Sequence, residues 1–224
     1  MTVGVWIIGA RGNVASVSMT GARAIARGVA DTTGMVTARD PVAALDLPAV
    51  DGLVFGGHDI RSQRIEETTK EMAGHGGVVA PDTLDAVRED LREIDERVEL
   101  GTARRCGEAV EGMSSETPGD DVSVADIVEE IRADYAAFAD SQEVDRLVVV
   151  NAASTEPPIP TPGDYETLAA FEAAVERDDP NLPASSLYAY AALLDGHPYV
   201  NFTPSTGSSL GGLREFAEIG RAHV

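Results

Sequence analysis

The chain predicts an α/β fold organised on a doubly wound parallel sheet, and three observations carry that prediction. First, Val3-Gly-Val-Trp-Ile-Ile8 is an apolar run of strand length that passes through Gly9-Ala-Arg-Gly12-Asn-Val-Ala15 directly into an Ala-rich helical stretch. Second, Arg146-Leu-Val-Val-Val150 is a continuous β-branched run, the signature of a central strand covered on both faces. Third, two stretches between these runs carry helical periodicity. Leu84, Val87, Leu91, Ile94 and Val98 form one apolar stripe, and Val124, Ile127, Val128, Ile131, Tyr135 and Phe138 form the other.

The elements follow in order. A strand at residues 3–8 turns at Gly9 and Gly12 into a helix over 14–27. A loose segment spans 31–48, and a second strand over Leu53-Val-Phe55 ends in Gly56-Gly57-His58-Asp59. The helix on the Leu84–Val98 stripe comes next. Residues 107–121, rich in Gly, Ser, Glu and Asp, read as a mobile surface loop. Ser123-x-x-Asp126 has the spacing of a helix cap ahead of the second stripe. After the strand at 146–150, Asn151-Ala-Ala-Ser-Thr155 lies at a strand end, and Pro157, Pro158, Pro160 and Pro162 mark a connector. Helices are expected over 165–175 and 187–194, and a last strand over Tyr199-Val-Asn-Phe202 opens into Thr203-Pro-Ser-Thr-Gly-Ser-Ser209.

Composition narrows the partners. The 224 residues suffice for one sizeable core and part of a second domain. The formal net charge is −21, with 38 Asp and Glu against 17 Lys and Arg, and Lys70 is the only lysine. Such a surface repels nucleic acid and anionic lipid, so neither is an expected partner. Acid excess carried with arginine in place of lysine points to a salt-adapted archaeal source, where salt screens the self-repulsion. No signal peptide and no membrane-spanning run are visible, so the expected location is the cytoplasm. The single Cys106, in an Arg-Arg-Cys-Gly context, excludes an internal disulfide framework and a Cys-based zinc cluster and reads as an incidental thiol. No metal site is expected.

The first glycine turn suits a nucleotide pyrophosphate. Glycines let the backbone approach the phosphates, and the free N–H groups of a helix N-terminus point at them. Ligands of open α/β sheets bind beyond the carboxyl ends of the strands, which places Asp59 and Asn151–Thr155 on the same rim as the turn. Asp59 or Asp31 would accept hydrogen bonds from ribose hydroxyls. Asp31 has the commoner spacing, about 20 residues past the turn, but lacks a preceding strand, and Asp59 is preferred. His58, beside it, is expected to face solvent from a loop. Lys70, among Glu66, Glu67 and Glu71, reads as a solvated helix-face charge. The stretches Ser185–Leu193 and Tyr199–Ser209 gather hydroxyls and an amide around a strand end, groups that bind phosphate or sugar oxygens without bringing charge.

Gly9-Ala-Arg-Gly-Asn13, Gly57-His-Asp-Ile60, Val149-Val-Asn-Ala-Ala-Ser-Thr-Glu156 and Val200-Asn-Phe-Thr-Pro-Ser205, in that order, resemble the archaeal branch of the inositol-3-phosphate synthase family. The resemblance covers nearly the whole chain. It implies a Rossmann-type NAD-binding domain over residues 1–185 and the start of an α+β catalytic domain over 186–217. It implies conversion of glucose 6-phosphate to inositol phosphate with bound NAD, through oxidation at C5, enolisation, aldol closure and reduction, in a homotetramer. Carried over by position, Gly9, Gly12 and Asn13 would hold the NAD pyrophosphate, with Ala10, Arg11 and Val14 in the same turn, and Asp59 the adenosine ribose. Asn151, Ala152, Ser154 and Thr155 would lie near the nicotinamide half. Asn201, Thr203, Ser205, Thr206, Gly207 and Ser208 would line the substrate side.

The family's chemistry uses lysines, one for the developing enolate and others for the phosphate. The resemblance places them beyond residue 224, so no catalytic residue is assigned within the chain, and the chain alone is expected to be inactive and prone to aggregate. Residues 218–224, Glu-Ile-Gly-Arg-Ala-His-Val, back-translate into a sequencing adapter and are expected to be a non-native tail. Two other readings share the glycine turn. One is an NAD(P)-dependent dehydrogenase, which would release NADH. The other is a non-catalytic NAD-binding module.

Overall fold

In a computed structural model, which describes residues 1–114 and 122–221, five strands form one sheet in the order β3-β2-β1-β4-β5 with every neighbouring pair parallel. The strands are β1 (Val3–Ile8), β2 (Leu53–Asp59), β3 (Val98–Leu100), β4 (Arg146–Asn151) and β5 (Tyr199–Asn201). The helices are α1 (Asn13–Ala26), α2 (Ile65–Gly76), α3 (Pro81–Asp95), the single turn α4 (Glu108–Glu111), α5 (Val124–Ser141), α6 (Leu168–Glu176), α7 (Ala184–Leu194) and α8 (Gly211–Arg221). This is the doubly wound Rossmann-like arrangement that the sequence predicts.

Strand alternation divides the apolar residues between two layers. On β1, Ile7 faces α1, α2 and α3 and joins Ala15, Met19, Ile65, Leu84, Val87, Leu91 and Ile94. Trp6 and Ile8 face the other way, into a larger core with Val149 of β4 and the buried stripes of α5, α6 and α7. α7 needs no amphipathic stripe because Ala184 to Ala192 are all buried. β5 extends the sheet beside β4, and α7 packs on α5.

Helix ends follow local chemistry. Ser123 Oγ accepts the Asp126 N–H at 3.1 Å and starts α5 as its sequence spacing predicts. Pro81 occupies the first turn of α3, where a missing N–H costs nothing. α2 stops at Gly77, which takes the left-handed conformation.

Several expectations need correction. β2 does not end at Phe55 but runs through Gly56, Gly57 and His58 to Asp59. These glycines are strand residues because neighbours lie against their backbone. A Cβ at Gly56 would lie 2.8 Å from the Phe138 ring, and one at Gly57 would collide with the Ile7 carbonyl. Val98 is not the last turn of α3 but the first residue of β3, an edge strand of three residues too short for a periodic signal. The helix expected over 165–175 is a 3₁₀ turn at Pro162–Tyr165 followed by α6, which Thr167 caps through the Ala170 N–H at 3.2 Å. Phe202 lies just past β5 and is 71% exposed. Part of the loop expected over 107–121 is α4, and residues 115–121 lie outside the described residues, as do 222–224. The loose segment over 31–48 stands, with 3₁₀ turns at Val36–Ala38 and Val42–Ala44.

Gly57→Ala is therefore expected to destabilise the fold by about 1–3 kcal/mol or more, since a main-chain oxygen of the central strand has to move. Urea denaturation monitored by far-UV circular dichroism measures this, and an unchanged midpoint would contradict the close approach of β1 and β2.

Candidate functional site

The carboxyl ends of β1, β2 and β4 open onto a cavity of about 460 Å³, within the range of small-molecule sites. Its floor is the turn after β1. Gly9 has φ of +80°, and its N–H and that of Ala10 donate to the His58 carbonyl at 2.8 and 3.1 Å. A Cβ at Gly9 would lie 2.8 Å from the Ala153 Cα, so only glycine fits this corner. Gly12 precedes α1 with no side-chain cap on the helix. The first-turn N–H groups of a helix have no intrahelical partner, and here they open on the cavity beside Asn13 and Val14, which line it. The geometry fits the pyrophosphate of a dinucleotide: bare backbone, a helix N-terminus and enough volume.

Of the residues anticipated for the cofactor, Gly9, Gly12, Asn13, Val14, Asp59, Asn151, Ala152 and Ser154 all line the cavity. Ala10 and Arg11 do not. Ala10 is fully buried under the turn, and the Arg11 guanidinium points to Asp95, with Nε–Oδ1 at 3.0 Å. Thr155 is exposed beside the rim and is not on the wall. Asp31 is exposed away from the cavity, where its carboxylate accepts the Thr33 N–H at 2.8 Å.

Asp59 is 5% exposed and organises the rim. Its Oδ2 accepts the Arg11 N–H at 2.7 Å, and its Oδ1 accepts the Arg61 N–H at 2.9 Å and the Arg61 Nε–H at 3.3 Å. The carboxylate thus ties the end of β2 to the glycine turn.

His58 is not the solvent-facing loop residue expected. It is 1% exposed in β2. The Trp6 indole N–H donates to its Nδ1 at 2.9 Å, and its Nε2 meets Asp134 Oδ2 at 2.9 Å. These partners select the tautomer with the proton on Nε2. The ring also packs edge-on against Trp6, with centroids 4.9 Å apart.

The six residues anticipated for the substrate side do not line the cavity. They form a loop bonded onto its wall. Asn201 Oδ1 accepts from Asn151 Nδ2 at 3.4 Å and from Thr203 Oγ1 at 2.8 Å, and Asn201 Nδ2 donates to the Ser205 carbonyl at 2.8 Å. Ser205 Oγ accepts the Glu156 N–H at 3.0 Å. Gly207 lies against Ser185 Oγ with no space for a side chain. Thr206 is exposed and Ser208 half-buried.

Among the wall residues to which the sequence reading gave no part in the site are Arg61, Cys106, Glu156 and Tyr188. Glu156 accepts the Ser185 N–H at 2.7 Å and the Ser185 hydroxyl, so it caps α7 from a distant loop. Burial raises its carboxyl above the usual carboxylate range, against the lowering effect of the Ser185 bonds. Tyr188 is buried, and its hydroxyl accepts the Thr102 N–H at 2.9 Å. Arg61 directly follows the Gly57–Ile60 motif, and Glu156 is the last residue of the Val149–Glu156 motif, so the signal for each lay at a motif edge. Cys106 carried no signal. Among the described residues no group of three or more His, Cys, Asp or Glu is arranged to hold a metal ion, and no helix is long and apolar enough to cross a membrane.

Burial, and the carboxylates of Glu156 and Glu111, push the Cys106 thiol up to about 12. The thiolate is the nucleophile, so at pH 8 Cys106 is expected to alkylate with iodoacetamide at least ~100-fold more slowly than free cysteine. The rate should still be climbing about tenfold per pH unit at pH 9–10, where free cysteine has levelled off, and mass spectrometry of timed quenches reads both. A rate equal to that of free cysteine would contradict the buried, acid-flanked thiol.

Comparison with known proteins agrees with this geometry. Residues 3–224 match the model of the NAD-binding domain of myo-inositol-1-phosphate synthase. Inositol-3-phosphate synthase 1 of Bacteroides thetaiotaomicron is 26% identical over 96% of this chain and 51% of its own length. Inositol-3-phosphate synthase isozyme 2 of Arabidopsis thaliana is 36% identical over 34% of this chain and 15% of its own. The crystal structure of the Caenorhabditis elegans inositol-3-phosphate synthase shares the fold with a TM-score of 0.80 at 20% identity, across 98% of this chain and 47% of that one. The chain thus spans about half the length of the Bacteroides relative and of the nematode structure. It belongs to the myo-inositol-1-phosphate synthase family and carries that family's NAD-binding domain.

Proposed function

We propose that this chain is the cofactor-holding part of an enzyme that isomerises glucose 6-phosphate to 1D-myo-inositol 3-phosphate. One observation carries this reading: the glycine turn inside the family match over 3–224 is the floor of the cavity at the strand ends. Bound NAD would supply a reversible hydride acceptor. Gly9, Gly12 and Asn13 would hold the pyrophosphate, Asp59 the adenosine ribose, and Asn151, Ala152 and Ser154 the nicotinamide half, with Thr155 outside the wall beside them. Asn201, Thr203, Ser205, Thr206, Gly207 and Ser208 would position the sugar phosphate. Their attachment to Asn151 and Glu156, both on the cavity wall, supports that role.

The cavity's chemistry is binding and orientation. Its wall carries no lysine, and Lys70 is exposed on α2. The electrophile for an enolate would therefore come from further sequence of the enzyme, with residues from 186 onward leading into a second domain. The working protein would be a cytoplasmic homotetramer from a salt-adapted archaeon.

The test has two parts. The 224-residue chain should bind NAD in isothermal titration calorimetry. A protein extended to the length of the relatives should convert glucose 6-phosphate to inositol phosphate with no net NADH at 340 nm. Accumulating NADH would favour a dehydrogenase, and a full-length protein that binds NAD without converting glucose 6-phosphate would favour a non-catalytic module. The salt-adapted reading has its own check. Tm should rise by several degrees between 0.1 and 2 M KCl as screening relieves the acid excess, and a Tm that stays flat or falls would reject it.

A further inference from the structure

We propose that Arg61 is the cationic ligand of the cofactor's pyrophosphate, a role that deepens the NAD-binding reading and rests on it. Arg61 follows β2 and reaches across the rim to the glycine turn. Its Nη2 lies 3.7 Å from the point a Cβ on Gly12 would occupy, which is the space in front of the α1 N-terminus. Its Nε donates to Asp59 Oδ1 at 3.3 Å, and its carbonyl accepts from Arg11 Nη1 at 2.9 Å, so the residue is held at both ends. Among the described residues neither Nη atom of Arg61 has a hydrogen-bond acceptor. The side chain is 25% exposed. The guanidinium is thus fixed by Nε and presents its remaining N–H groups to the cavity.

The other arginine at the turn cannot take this role. Arg11 Nε and Nη2 are engaged by Asp95 at 3.0 and 3.4 Å, on the far side of the turn. Arg61 is the only Lys or Arg on the described cavity wall, which also carries the carboxylates of Asp59 and Glu156. In a chain of net charge −21, a dianionic pyrophosphate meets a repulsive field unless a cation stands beside it. A helix N-terminus contributes only about half a positive charge. The planar guanidinium adds a full one and can bond two phosphate oxygens together. Asp59 therefore acts on the cofactor in two ways, through its own acceptor and by aiming Arg61.

The experiment is calorimetric titration of the 224-residue chain, Arg61→Gln and Arg61→Lys with ADP, NAD, NADP and adenosine. Arg61→Gln should weaken ADP and NAD about tenfold, the low end for a charge-assisted bond at a partly exposed site, while adenosine affinity stays unchanged. Arg61→Lys should recover only part of the loss, because the ammonium keeps the charge but neither the two-bond fork nor the Nε bond to Asp59. The adenosine result also shows that the variant keeps its folded ribose pocket. Equal ADP affinity in the chain and in Arg61→Gln would overturn the assignment, as would an equal loss for adenosine. A loss confined to NADP would move the guanidinium to the 2′-phosphate and overturn it too. If the unsubstituted chain, monodisperse in size-exclusion chromatography and melting cooperatively, binds adenosine, ADP and NAD alike not at all, the dinucleotide reading itself fails, a result distinct from binding that is indifferent to Arg61.

Discussion

The site depends on how closely main chain approaches main chain at the carboxyl end of β1. Gly9 stands against the Ala153 backbone, and Gly57 against the Ile7 carbonyl and the Ala10 side chain. No side chain fits between these segments. The three strand ends therefore converge without plugging the space above them, and the helix N-terminus after Gly12 faces open volume. A larger residue at either position would force β1 from β2 or β4 and close the cleft from below. The glycines serve sheet packing and ligand approach together, which is the same double use seen in dinucleotide folds generally.

Polar groups then fix what the glycines leave open. Asp59 bonds the Arg11 and Arg61 N–H groups, Asp95 bonds the Arg11 side chain and the Ile65 N–H at 3.1 Å, and Thr68 Oγ1 donates to the Arg11 carbonyl at 3.0 Å. The turn, the end of β2 and the start of α2 become one hydrogen-bonded unit. Two of its carboxylates, Asp59 and Asp95, are buried in a strongly acidic protein. Burying an unpaired carboxylate costs several kcal/mol, and each of these is met by an arginine. Arg11 and Arg61 thus stand where the two buried acids of the turn need a cation.

Much of this was legible in the sequence, and the failures have physical causes. The β1 turn, the cap at Ser123 and the β-branched run of β4 are local signals, and each matches the structure. β3 escaped because three residues cannot display a period. Gly56-Gly57-His58 looked like a strand end because glycine disfavours strands in isolation, whereas here Phe138 and Ile7, distant in sequence, require it. His58 was misread for the same reason. Its partners Trp6 and Asp134 lie 52 and 76 residues away, and only the fold brings them together. Arg61 and Glu156 sit at the edges of recognised motifs, but their orientation follows from tertiary hydrogen bonds that spacing does not encode.

Glu156 shows how the cavity and the loop at 203–209 can act as one. Its carboxylate caps α7 through Ser185, while its own N–H donates to Ser205 Oγ. Asn151 holds the same loop from the strand side through Asn201. Two hydrogen-bonded connections thus run from the β4 loop into the β5 loop, one from the Glu156 main chain and one from the Asn151 side chain. Held at two points, the loop after β5 keeps its place against the cavity wall without lining the cavity itself.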